Sequence, residues 1–240
     1  MSEDENEKAE THYARGNYEE ALSAWEKADE VLPGSFAQCF KKGIALRKLG
    51  RYDEARAALE KALTLEPKNA DAWRAHARVC SQIDRDAQAV ISCEKSLAID
   101  PYNARTWIVR GFALHRLGQY EKAVESYARA VECNPLGPDG RRAWNNRGAA
   151  LDNLHRHEEA IESYEEALLI DPFDIYAWNN KGVALGVLAR HEEAISCFLM
   201  AIKIEQEYAT AWKNLGLAYR SLHRDQEAEA AFIRATELGL

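Results

Sequence analysis

Nowhere in this 240-residue chain do apolar residues run for the roughly 18 positions that a membrane-spanning helix needs, and the opening MSEDENEKAE lacks the apolar core of a secretory leader. A cytoplasmic protein without membrane contact is expected. Cysteine is sparse and shows no pairing pattern. Cys39, Cys80, Cys93, Cys133 and Cys197 form an odd set of five with no C-x-x-C, which argues against a zinc site or a disulfide framework and fits reduced thiols. The 13 glycines make no phosphate-cradling loop. No nucleophile, base or metal set stands at a recognisable spacing, so the chain reads as non-enzymatic, with no cofactor and no metal. His155-x-His157 raises the question of metal, but His157 and His191 stand where other copies of the pattern described below have Tyr52 and Tyr120, and aromatic packing is the plainer account.

What the chain has is apolar mass and charge. With 47% hydrophobic and 29% charged residues and a mean hydropathy of −0.48, it can bury a core and is not disordered by composition. Its net charge of −8 argues against nucleic acid but is unevenly spread. Residues 1–35 hold ten acids and three bases, whereas residues 36–69 hold eight bases and four acids. That basic stretch keeps single-stranded RNA open as an alternative ligand, which steep salt dependence would reveal.

The dominant signal is repetition. AWNNRGAAL at 143–151 returns as AWNNKGVAL at 177–185, and the interval of 34 also separates Trp73 from Trp107, Trp178 from Trp212, and each of Pro33, Pro67, Pro101 and Pro135 from the next. With Trp107 as position 4, the unit 104–137 carries apolar and small residues at helical spacing: Trp107, Gly111, Leu114 and Leu117, then Ala123, Tyr127, Ala130 and Val131. Two amphipathic helices joined near Gly118 are expected, with the proline at position 32 ending the second. Position 8 is Gly43, Ala77, Gly111, Gly148, Gly182 and Gly216, where only a tiny side chain lets paired helices approach; position 20 is alanine in every copy. The tryptophans at position 4 read as core.

These letters, W-x-x-x-x-x-G followed by A-x-x-x-[FYWLC]-x-x-A and a closing proline, resemble the tetratricopeptide repeat. The resemblance implies an all-α, right-handed superhelical solenoid of stacked antiparallel helix pairs running through 1–240. Its units are an atypical 2–35, then 36–69, 70–103, 104–137, an insertion at 138–140, 141–174, 175–208 and a capping unit 209–240. Unit 2–35 has Glu5 and Ala9 in place of tryptophan and glycine, and Gln206 replaces one proline. In the last unit Glu229 and Thr236 replace the apolar residues of positions 21 and 28, so the solenoid is expected to end there.

First helices line the concave wall of such a solenoid, and positions 2, 5 or 6, 9 and 13 lie opposite the core stripe. Asn146, Asn180 and Asn214 share position 6, with Asn145, Asn179 and Lys213 beside them at position 5. A carboxamide can both donate to and accept from an extended backbone. The column resembles the asparagine ladder of O-linked N-acetylglucosamine transferase and kinesin light chain repeat domains. Arg74, Arg78, Arg105, Ile108, Phe112 and Arg142 make the upstream stripe basic and partly apolar, suited to an acidic segment with a hydrophobic anchor. Three amide contacts at about 1 kcal/mol each fall short of the roughly 8 kcal/mol of a micromolar complex, so that stripe has to supply the rest. No unit carries the opening lysine–asparagine pair of a dicarboxylate clamp. The expected role is an adaptor that binds a peptide or partner helix; recruiting substrate for a separate enzyme is an alternative.

Overall fold

In the computed structural model, which describes residues 2–29 and 34–240, the regular structure is entirely α-helical, and the chain divides into two compact units. Pro33 lies outside the described residues. The unit Met1–Leu117 holds α1 (Ser2–Ala14), α2 (Tyr18–Asp29), α3 (Phe36–Lys48), α4 (Tyr52–Leu65), α5 (Ala70–Gln82), α6 (Asp86–Ile99) and α7 (Ala104–Arg116). The unit Gly118–Leu240 holds α8 (Tyr120–Cys133), α9 (Pro138–Asn153), α10 (His157–Ile170), α11 (Ile175–Val187), α12 (His191–Ile204), α13 (Ala209–Ser221) and α14 (Asp225–Glu237). Within each unit consecutive helices pack together, and each pair stacks on the next.

The column of small residues at position 8 does what its spacing predicts. A Cβ on Gly148 would lie 2.5 Å from the ring of Tyr164, on Gly182 2.6 Å from Phe198, on Gly216 2.6 Å from Phe232, and on Gly43 2.5 Å from the Leu59 side chain. The pair crosses at this point because the backbone of one helix receives the large side chain of the other. Where alanine stands at the position, its counterpart shrinks: Ala77 shares a buried cluster with Cys93, which occupies the place of those rings.

Turns inside the pairs share one left-handed residue. It is Gly16, Gly50 and Gly118, with φ of 81°, 77° and 71°, but Asp84, His155, Ala189 and His223, with φ of 57–58°, in the other copies. His155 and His223 are thus turn residues in a conformation glycine adopts more cheaply, whereas His157 and His191 open α10 and α12.

Proline is not required to end a second helix. α4, α6, α8 and α10 stop two residues before Pro67, Pro101, Pro135 and Pro172, yet α12 stops at Ile204, two residues before Gln206. The shared element is a carbonyl. The indoles of Trp73, Trp107, Trp178 and Trp212 donate Nε1–H to the carbonyl oxygens of Pro67, Pro101, Pro172 and Gln206 at 2.8–2.9 Å. These tryptophans are therefore half-buried clasps between successive pairs and not enclosed core; Trp25 in α2 is the one buried indole among the described residues. The insertion 138–140 breaks this spacing for Trp144 and is absorbed as an extra turn at the start of α9, with Pro138 at its first position.

Candidate functional site

In the second unit α9, α11 and α13 are the first helices of successive pairs, and the doubled asparagines stitch them together. Asn180 donates Nδ2–H to Asn145 Oδ1 at 3.4 Å, and Asn214 donates to Asn179 Oδ1 at 2.9 Å. Within α11 Asn179 donates to Asn180 Oδ1 at 3.5 Å. Position 5 of one helix thus meets position 6 of the next, an interval of 35, and the four carboxamides run as one seam across three helices. At the last copy Lys213 occupies position 5 and is exposed.

This geometry corrects two sequence expectations. Asn179 is only 5% exposed and Ile108 only 4%, so neither presents a side chain to a ligand. In the second unit position 5 faces the next first helix, where Asn145 and Asn179 accept from Asn180 and Asn214. Asn145, Asn146, Asn180 and Asn214 are half-buried, and Asn146 takes no part in the seam. Each carboxamide has two N–H groups and two lone pairs, so the seam leaves Asn145 Nδ2, Asn214 Oδ1 and the whole of Asn146 with capacity for a further partner.

The exposed stripe runs through positions 2, 9 and 13. It presents Arg142 on α9, Tyr176, Val183 and Val187 on α11, and Leu217 on α13, the last four exposed by 40–61%. A recess of about 240 Å³ opens between α11 and α13, lined by Gly182, Val183, Gly186, Val187, Leu217 and Asn214 and floored by Phe198 of α12. Neither α11 nor α13 contains an acidic residue, although the chain's net charge is −8. Of their cations, Lys181 pairs with Glu165 at 2.7 Å and the Arg220 guanidinium lies 5.4 Å from the centre of the Phe232 ring.

In the first unit the predicted basic residues lie on α5 and α7. Arg74 is bound to Asp71, Arg78 and Arg105 are exposed, and Phe112 is 46% exposed beside the Arg116 guanidinium, 6.0 Å from its ring centre.

One polar cluster escaped sequence reading. His76 on α5 is buried, its Nδ1 2.9 Å from Ser92 Oγ and its Nε2 3.5 Å from Glu60 Oε1. Burial holds the imidazole below its ordinary pKa against the opposing pull of Glu60. The order carboxylate–imidazole–hydroxyl resembles a nucleophilic relay, but Ser92 Oγ donates to the Gln88 carbonyl of its own helix at 3.0 Å. Ser92 also lies mid-helix, where backbone N–H groups are already bonded and cannot hold an oxyanion. The cluster ties α4, α5 and α6 together. Four of the five thiols are buried, and burial raises Cys80 and Cys197 to about 11 and Cys93 to about 12, which leaves them protonated and inert near neutrality. Among the described residues no three His, Cys, Asp or Glu side chains are grouped to hold a metal ion, and no helix is long and apolar enough to cross a membrane.

Comparison with known proteins agrees with this architecture. Models of the tetratricopeptide repeat match residues 7–27, 40–104, 104–136, 142–174 and 176–239. No curated protein matches the chain. Among solved structures, MamA is similar at 26% identity, covering 70% of this chain and 96% of its own, with a TM-score of 0.64. PilF of Pseudomonas aeruginosa is 20% identical, covering 85% and 91%, with a TM-score of 0.73. YrrB, described as a TPR protein with an unusual peptide-binding site, is 19% identical, covering 76% and 92%, with a TM-score of 0.61.

Proposed function

The chain belongs to the tetratricopeptide-repeat family, and on that ground we propose that it is a non-enzymatic protein-interaction scaffold whose first-helix face on α9, α11 and α13 holds an extended segment of a partner protein. The observation that carries the reading is the composition of that face. Tyr176, Val183, Val187 and Leu217 stay exposed beside a carboxamide seam that still offers a donor at Asn145 and an acceptor at Asn214. Apolar side chains next to groups that complement a peptide backbone are what an extended ligand needs: burial supplies affinity and the amides fix register. The peptide-binding site of YrrB, on a similar fold, lends support.

Site-specific photo-crosslinking tests the proposal. A benzophenone side chain at Val183 or Leu217 is expected to capture partner protein from an extract at least tenfold more than one at Leu169 or Leu199, which are also exposed but lie on the second helices α10 and α12. Equal capture at all four positions, or capture at the second helices alone, contradicts it.

A further inference from the structure

Gly186 is anomalous among the helix glycines. At Gly148, Gly182 and Gly216 an added Cβ would strike a ring of the partner helix, and at Gly16, Gly50 and Gly118 the backbone is left-handed. Gly186 has neither reason. It sits in the last turn of α11, one residue before the helix ends, without a left-handed φ, and a Cβ built on it meets nothing within 4 Å. The same position in the other full units is Arg47, Ser81, His115, Asp152 and Arg220. Glycine favours the helical conformation less than any of these, and no contact that a Cβ would make explains its presence. What its missing side chain leaves is open space, and that space is part of the recess between α11 and α13.

At about 240 Å³ the recess is smaller than the roughly 300–1,000 Å³ of sites that enclose a drug-sized molecule and suits one large side chain. Its walls are Val183, Val187, Leu217, Ala218 and the Phe198 ring. Lys213, Leu217 and Arg220 follow one another on α13 at spacings of four and three, which places a cation before and after Leu217 along one stripe at the edge of the recess, the Arg220 guanidinium resting on the Phe232 ring of α14. Both cations are exposed, and neither has a carboxylate partner among the described residues.

We infer that Gly186 sets the specificity of this face: its recess takes one bulky apolar side chain of an extended peptide that carries carboxylates beside that anchor. The inference rests on the scaffold reading and adds the chemistry of the ligand. Arg220 lies seven positions beyond Lys213, about 10 Å at a rise of 1.5 Å per residue, so the backbone of each lies about 5 Å along the axis from the midpoint between them. An extended peptide advances about 3.3 Å per residue, which puts the acids within one or two residues of the anchor.

The test is a random dodecapeptide library displayed on phage and panned over the full-length chain, wild type against Gly186→Leu. The first carbon of a leucine at 186 meets nothing within 4 Å and the rest of it packs into the apolar recess, so the melting temperature of the variant should be unchanged or raised. The wild type is expected to enrich peptides with Leu, Ile, Phe or Met one or two residues from Asp or Glu, and the variant to recover them at least tenfold less. A second variant, Lys213→Glu with Arg220→Glu, is expected to lose the acidic preference while keeping the apolar anchor. Equal recovery of the wild-type sequences by Gly186→Leu, or enrichment of basic or wholly polar peptides, overturns the inference. If that happens while crosslinking at Val183 and Leu217 succeeds, the scaffold reading stands and only the recess assignment fails; if no peptide is enriched and no crosslink forms, both fail.

Discussion

Leucine at Gly182 is expected to destabilise the second unit by about 3 kcal/mol, whereas leucine at Gly186, one turn further along the same helix, is expected to cost nothing. Leucine at mid-helix 182 gains roughly 0.8 kcal/mol of helix propensity over glycine and at 186, in the last turn, no more than that, so a larger loss at 182 reports packing. At 182 the first added carbon already lies 2.6 Å from the Phe198 ring, which is 3% exposed and held between α11 and α12. The ring shares its buried cluster with Ile195, Ala201 and Leu185, and its open side is the recess between α11 and α13. At 186 the side chain enters open space. Thermal unfolding of both variants checks this, with the melting temperature of Gly182→Leu falling by roughly 6–12 °C at about 2–4 °C per kcal/mol. Equal behaviour of the two variants would show that position 8 is not the point of closest approach.

Tyr164→Ala should cost about 3–5 kcal/mol, the largest loss expected from one truncation in this unit. Tyr164 is 1% exposed, covers the backbone at Gly148, and donates its hydroxyl to Asp152 Oδ2 at 2.7 Å. Burial and the adjacent Asp152 carboxylate both raise the phenol's pKa, so the hydroxyl keeps its proton and stays a donor. Tyr164→Phe removes only the hydrogen bond and should cost about 1 kcal/mol, because Asp152 retains His157 Nδ1 at 2.9 Å. The packing account makes a stricter demand in a double-mutant cycle. Gly148→Ala alone places a carbon 2.5 Å from the Tyr164 ring and should destabilise; in the Tyr164→Ala background the same change should stabilise, because the obstruction is gone and helix propensity remains. Since each repeat contacts only its neighbours, hydrogen exchange should localise the damage to α9–α11 and spare α3–α6.

The two stability predictions rest on residues that were legible in the sequence, because the glycine and alanine columns record a steric rule that recurs every 34 residues. The helix pairs were legible for the same reason. The role of the doubled asparagine was less so. Its bonds join 145 to 180 and 179 to 214, an interval one longer than the repeat, and a search for equal positions does not align residues that pair diagonally. Burial of Asn179 followed from the same oversight: a helical stripe shows which residues lie opposite the core but not which of them a neighbouring helix covers. The tryptophans looked like core because they are large and apolar, yet their indole N–H groups needed acceptors, and the carbonyl six residues earlier supplies one in four copies. Gly186 carried a visible signal, a glycine at a position that is polar in every other full unit, but only the empty space around its backbone shows that the residue shapes a recess.

The most direct measurement is the ¹H–¹⁵N spectrum of the chain titrated with a peptide holding leucine between two aspartates. The account predicts shifts in the Asn145 and Asn214 carboxamides and in the backbone amides of Val183, Gly186 and Leu217, saturating together. Shifts confined to α10, α12 and α14, or a titration in which those five groups do not move, would contradict it.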